Sequence, residues 1–170
     1  ASIFQSVPAI FVIIFGTIVA AYWTKRQNKG KKSSSLFKMA VGIMITGTGF
    51  LMMAGAALQV RGGGKAMLVW LIISYLLQVI GELSLSPVAL SFITKLAPVK
   101  YASIMMGVYF AATGLGNKVA GMLGELSEHA GELEVFTGIF IFCIAVGALL
   151  LVFFKKLHAL THGAEEVTEA

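Results

Sequence analysis

The 170-residue sequence is too apolar for a water-soluble domain, since 58% of its residues are hydrophobic and only 12% are charged. Lys and Arg outnumber Asp and Glu by 13 to 8, which gives a formal net charge of +5. This composition excludes a soluble enzyme, because a soluble fold of this size cannot bury so many apolar side chains. The apolar residues also form long runs, which are typical of membrane-spanning helices.

Five segments are predicted to cross the bilayer as α-helices, because each is long and apolar enough to span a hydrocarbon core of roughly 30 Å. In chain order they are 3–23, 36–60, 66–94, 101–123 and 135–157. The connections between them are basic, Gly-rich, Pro-containing and, at 124–134, acidic. Residues 158–170 are expected to form a polar cytoplasmic tail. The prediction is therefore an all-α integral membrane domain over residues 1–157.

The basic residues predict the orientation, because cytoplasmic loops retain Lys and Arg. Ten of the 13 lie in the first and third connections and at the end of the last helix, which are on one side. We therefore expect the amino terminus outside and the carboxy terminus in the cytoplasm. Lys118 falls near the outer end of the fourth predicted helix, where a lysine can snorkel to the interface. No aromatic residues interleave with the basic run of 25–32, which argues against nucleic acid.

Glu82 is an ionisable residue close to the centre of the third predicted helix, where a charge costs about 2.5–3.5 kcal/mol. Polar residues precede and follow it at four-residue spacing and form one slanting stripe, namely Ser74, Gln78, Glu82 and Ser86. Pro87 has no N–H to donate to the carbonyl of Leu83, which needs a neighbour or cavity water instead. These features favour a helix that lines a polar cavity, where Glu82 binds a cationic group or relays a proton. The alternative is a protonated glutamate that only hydrogen-bonds a neighbouring helix.

The other polar or small residues have structural interpretations. Two series of small residues on the fourth helix are predicted to contact other helices: Ser103, Gly107 and Ala111, and Ala112, Gly116 and Ala120. The three histidines lack partners at metal-ligand spacing, so no metal site and no cofactor are predicted.

Several segments resemble the proton-coupled oligopeptide transporter family. They read GELSLSPVAL at 81–90, TKLAP at 94–98, MMGVYF at 105–110 and FQSVP at 4–8. Members of that family have the major facilitator fold, with two six-helix bundles around a central cavity. The resemblance covers essentially the whole chain and implies the last five of twelve helices. We therefore expect part of the carboxy-terminal six-helix bundle of a larger protein.

The resemblance also implies roles for individual residues. Glu82 matches the glutamate that binds the amino terminus of the substrate peptide, and Ser86 matches a pocket serine near it. Tyr109 replaces the pocket tryptophan usual in the family, and Gln78 joins this site through the polar stripe. The Asn that the family usually has before the proline is absent between Val7 and Pro8. The proton-coupling residues of the family lie in helices that this chain lacks.

The sequence therefore predicts the carboxy-terminal portion of a proton-coupled di-/tripeptide symporter in a bacterial inner membrane. Its expected partners are the peptide, protons, the lipid bilayer and the missing amino-terminal bundle of the same transporter. One alternative is a membrane-embedded enzyme that uses Glu82 as an acid or base, but no second acid, histidine or nucleophile lies at mid-membrane. The other alternative is a non-catalytic membrane subunit.

Overall fold

The computed structural model describes residues 2–28, 34–154 and 156, and over these residues the chain is helical without strands. The predicted all-α fold is confirmed. The five long helices are α1 (Ser2–Asn28), α2 (Ser35–Arg61), α3 (Leu68–Leu96), α4 (Ala102–Ala130) and α5 (Glu132–Val152). A short 3₁₀ turn, Val99–Tyr101, precedes α4. The predicted tail at 158–170 lies outside the described residues.

Four of these helices contain a segment long and apolar enough to cross a membrane. The segments are Ala9–Arg26, Ser35–Arg61, Leu68–Leu96 and Glu132–Val152. Helix α4 is as long as α3, but Asn117, Lys118 and several Gly, Ser and Thr residues lower its mean hydropathy. The sequence predicted five spans, and α4 is the one that differs from the other four in composition.

Helix α2 lies at the centre and packs against α3 on one side and α5 on the other. The backbones of α2 and α3 touch where Gly42 meets Gly81. A Cβ atom on Gly42 would lie 2.8 Å from the carbonyl oxygen of Gly81, and one on Gly81 would lie 2.7 Å from that of Gly42. Small residues allow this close approach, which gives membrane helices their van der Waals attraction.

The contact of α2 with α5 also depends on small residues. A Cβ atom on Gly47 would lie 2.8 Å from the Cβ of Cys143, and one on Gly147 would lie 3.3 Å from the carbonyl oxygen of Ala40. Cys143 is thus a small packing residue at this crossing. At the end of the two helices, Arg61 Nη1 donates to Glu134 Oε1 at 2.8 Å. Both side chains are largely exposed, so this ion pair adds little to stability.

Helix α4 packs loosely on the rest of the chain and has no buried residue. No atom lies within 4 Å of the position that a Cβ would occupy on Gly107 or Gly116. The small-residue faces predicted on α4 therefore have no partner helix among the described residues, and the close helix crossings are those of α2.

The acidic connection predicted at 124–134 is wrong, because these residues are helical except Gly131. Helix α4 continues to Ala130 and α5 begins at Glu132. Gly131 adopts φ 101°, a conformation that side chains with a Cβ disfavour. Glu and Leu are good helix formers, so the charged residues here extend α4 beyond the apolar segment rather than breaking it.

Candidate functional site

Glu82 lies at the middle of α3, 14 residues from each end of Leu68–Leu96. Its side chain is exposed, and within the described part of the chain it has no hydrogen bond and no ion pair. An unpartnered carboxylate at this depth is costly in lipid. It is therefore placed to meet a polar partner that this chain does not supply.

The neighbours of Glu82 explain why it faces outward. Gly81 is buried against α2, and Ser84 is buried against α1, where its Oγ accepts a hydrogen bond from Trp23 Nε1 at 3.2 Å. Ser84 Oγ also donates to the carbonyl oxygen of Ile80 at 2.9 Å. Successive helical residues turn by about 100°, so packing Gly81 and Ser84 inward leaves Glu82 on the opposite face.

The predicted polar stripe divides into a packing half and an open half. Ser74 is fully buried and donates to the carbonyl oxygen of Gly49 on α2 at 2.8 Å. Gln78 Nε2 donates to Ser74 Oγ at 2.8 Å, so this amide belongs to the contact between α2 and α3. Glu82 is exposed and Ser86 is half-buried. Each four-residue step overshoots a full turn by about 40°, which carries the stripe from the α2 contact to the open face.

Pro87 lies within α3, which remains helical through it. Because proline has no N–H, the carbonyl oxygen of Leu83 lacks its usual helical donor. This acceptor lies next to Glu82 in the chain, so two hydrogen-bond acceptors are neighbours at mid-membrane. A donor-rich group, such as an ammonium or water, satisfies such a pair.

Tyr109 lies on α4 and is half-buried, with its ring centroid 5.6 Å from that of Phe110 in an edge-on arrangement. No hydrogen bond joins Tyr109 or Ser86 to Glu82 in the part of the chain that the structure describes. The unusual Val7-Pro8 pair lies in α1, where the side chains of residues 2–8 are not described.

The position predicted for Lys118 is wrong. The sequence predicted a helix that ends at residue 123, but α4 continues to Ala130, which puts Lys118 12 residues from that end. At about 1.5 Å per residue this is roughly 18 Å of helix, so Lys118 lies near the middle of α4. It is exposed and makes no ion pair with a described residue. The helix-forming character of 124–130 was the signal that could have shown this.

Among the described residues, no three His, Cys, Asp or Glu side chains lie close enough together to hold a metal ion. His158 and His162 lie outside those residues. The candidate site thus consists of Glu82 and the polar groups around it on the open face of α3.

The fold and this site define a multi-pass α-helical membrane protein that presents a carboxylate at mid-membrane. The model of the POT family matches residues 1–139, and the chain belongs to this family. The membrane-enzyme alternative thereby loses its support, since the relatives below are named as peptide transporters.

Two relatives and one solved structure illustrate the similarity. The peptide transporter YePEPT of Yersinia enterocolitica subsp. palearctica is 34% identical over 171 residues, which cover 95% of this chain and 33% of YePEPT. A di-/tripeptide transporter of Lactococcus lactis subsp. cremoris is 31% identical over 91% of this chain and 31% of its own length. A crystal structure of a peptide transporter POT in complex with sulfate superposes with a TM-score of 0.80 at 29% identity, covering 89% of this chain and 30% of that one. The chain thus spans about a third of the length of these proteins.

Proposed function

We propose that this chain is the carboxy-terminal portion of a proton-coupled di-/tripeptide symporter, in which Glu82 binds the amino terminus of the peptide. The observation that carries the proposal is the exposed carboxylate of Glu82, which has no described partner at the centre of an apolar helix. A substrate ammonium would supply the missing charge. In a low-dielectric cavity such a pair is far stronger than in water.

The chain would contribute half of the peptide site. Ser86 lies one turn after Glu82 and would add a hydroxyl beside the bound amine, while Tyr109 would form an aromatic wall of the pocket. Gln78 would act less directly, because its amide is hydrogen-bonded to Ser74. The other half of the site, and the groups that bind the proton, would come from the amino-terminal bundle. Proton and peptide would each favour one of two inward- and outward-facing states as the bundles rock.

The proposed location is a bacterial inner membrane, with the amino terminus of this chain outside and its carboxy terminus in the cytoplasm. This orientation rests on the distribution of Lys and Arg. It gives α1, α3 and α5 the same direction across the bilayer.

The test is uptake of a labelled dipeptide by the intact transporter in proteoliposomes with an imposed proton gradient. We expect Glu82→Gln, which keeps the size of the side chain and removes its charge, to lower peptide affinity at least tenfold, since an uncompensated ammonium is costly in the cavity (about 1.4 kcal/mol or more). The matched control is Glu125→Gln, the same change at an exposed residue far along α4. Wild-type uptake by the Glu82→Gln protein would rule out the proposed role of Glu82.

A second comparison identifies the peptide group that Glu82 recognises. The wild-type protein should discriminate strongly between a dipeptide and its amino-terminally acetylated form, because acetylation removes the positive charge. The Glu82→Gln protein should lose most of this discrimination. If instead it discriminated against the acetylated peptide as well as the wild type does, another group would bind the amine.

A further inference from the structure

Four side chains form a cluster where the last turns of α1 meet the first turn of α2: Trp23, Arg26, Phe37 and Lys38, here called the basic aromatic cluster. Arg26 Cζ lies 5.8 Å from the centroid of the Trp23 ring and 5.1 Å from that of Phe37. Lys38 Nζ lies 5.8 Å from the centroid of the same Trp23 ring. Two cations therefore share one indole, each within the range of cation–π attraction.

The indole is a fixed platform for these cations. Trp23 is only 9% exposed, and its Nε1 donates to the buried Ser84 Oγ on α3 at 3.2 Å. Arg26 and Lys38 are half-buried, so their positions are restricted while part of each side chain remains accessible. Side chains that are ordered before a ligand arrives lose less entropy on binding.

The depth of the cluster matches that of lipid headgroups. Arg26 is the last residue of the apolar segment Ala9–Arg26, and Lys38 is the fourth residue of the segment Ser35–Arg61. Both cations therefore lie at the boundary between hydrocarbon and water, on the same side of the membrane. Lipid phosphates occupy this level, and Trp commonly lies there as well.

The described part of the chain supplies no carboxylate to this cluster. The first 81 residues contain neither Asp nor Glu. The acidic residues that the structure describes are at mid-membrane or at the opposite end of α4 and the start of α5: Glu82, Glu125, Glu128, Glu132 and Glu134. The positive end of the α2 dipole adds to the same field. An anion between Arg26 and Lys38 would relieve the repulsion of two neighbouring cations.

We propose that the basic aromatic cluster binds the phosphate of an anionic phospholipid in the leaflet on this side. The guanidinium of Arg26 presents paired N–H donors that suit phosphate oxygens, and Lys38 adds a second charge. The Trp23 ring is amphipathic and would contact the region where headgroup and acyl chains join. This site is separate from the open face of α3 and does not depend on the proposed function.

The test uses the intact transporter, titrated in neutral detergent with phosphatidylglycerol or phosphatidylcholine, with bound lipid counted by native mass spectrometry. We expect preferential retention of phosphatidylglycerol, and an affinity for it lowered about tenfold in the double variant Arg26→Gln/Lys38→Gln. The matched control is Lys95→Gln/Lys100→Gln, which removes two charges from the connection between α3 and α4 on the same predicted side. Arg26→Lys/Lys38→Arg keeps the charge and should keep most of the binding. If the Arg26→Gln/Lys38→Gln protein does not fold, Lys38→Gln alone should show a smaller loss in the same direction.

Three results would overturn the proposal. Equal losses in the two double Gln variants would mean that overall charge, and not this cluster, attracts the lipid. Displacement of the lipid by inorganic phosphate at similar concentration would mean a site for free anions. Stronger phosphatidylglycerol binding after removal of 158–170, which contains three glutamates, would assign the cluster to the tail of the chain.

Discussion

Gly81 determines which way its neighbour Glu82 faces, because it allows α3 to touch the backbone of α2. A Cβ atom at this position would meet the carbonyl oxygen of Gly42 at 2.7 Å and the backbone nitrogen of Thr46 at 2.8 Å. These are backbone atoms, which cannot move aside as a flexible side chain can. Any residue larger than Gly would therefore push α3 away or rotate it, and Glu82 would rotate with it.

We expect Gly81→Ala to destabilise the intact transporter by about 1–3 kcal/mol, the usual cost of overpacking, and to weaken peptide binding. The measurement is thermal unfolding in detergent together with peptide affinity. Gly138→Ala is the matched control, since Gly138 is a glycine of α5 with nothing within 4 Å of a Cβ. A Gly81→Ala protein as stable as the control would show that α2 and α3 do not touch in this way.

At this scale the sequence predicts the chemistry of a residue better than its surroundings. The mid-helix position of Glu82 follows from the apolar length on either side of it. Lys118 was misplaced because charged residues after 123 were interpreted as a loop. The tight contact at Gly81 was not predicted, since glycines on α4 with the same spacing have open space around them. The role of Glu82 in binding remains a prediction.

Among the helices, α1 is joined to α3 by a hydrogen bond that spans 61 residues of sequence, from Trp23 Nε1 to Ser84 Oγ at 3.2 Å. Ser84 is 2% exposed and Trp23 is 9% exposed, so water does not compete readily for either group. The bond joins the end of α1 to the segment of α3 between Glu82 and Pro87. It therefore links the orientation of this segment to the position of α1.

We expect Trp23→Phe and Ser84→Ala each to lower the stability of the intact transporter by about 0.5–1.5 kcal/mol, because each removes this hydrogen bond. The double variant should cost less than the sum of the two, since the shared bond can be lost only once. Thermal unfolding of the four proteins completes the cycle. Strict additivity would mean that the two side chains do not interact.

The helix order was predictable, but one helix boundary was not. Apolar length located the helices, whereas the junction of α4 and α5 depends on a single residue with positive φ, Gly131. Polar composition alone does not distinguish a loop from a helix end that projects beyond the hydrocarbon. The small-residue faces predicted on α4 have no described partner for a different reason, which is that this chain does not contain enough of the protein to cover α4.

For the whole molecule, the exposure of α4 is the clearest sign that the chain does not complete the fold. A 29-residue helix with no buried residue, and with an asparagine and a lysine near its middle, is not suited to contact lipid on all sides. The relatives are about three times as long as this chain. Further helices of the transporter would cover α4 and form the other wall of the cavity.

We therefore expect residues 1–170 expressed alone to give no dipeptide uptake, even where they insert into the membrane. Co-expression with the remaining part of the transporter as a separate chain should restore uptake, because membrane helices can associate after insertion. The measurement is growth of a peptide-dependent auxotroph, with insertion checked by membrane fractionation. Uptake by residues 1–170 alone would contradict the proposed half site.

The single-residue junction at Gly131 limits how α4 can move. One residue spans at most about 3.6 Å, so the adjoining ends of α4 and α5 have almost no slack between them. The other end of α4 is joined to α3 through the longer segment 97–101, which includes a 3₁₀ turn. Any swing of α4 relative to α5 is therefore a pivot about Gly131, with its largest displacement near Ala102.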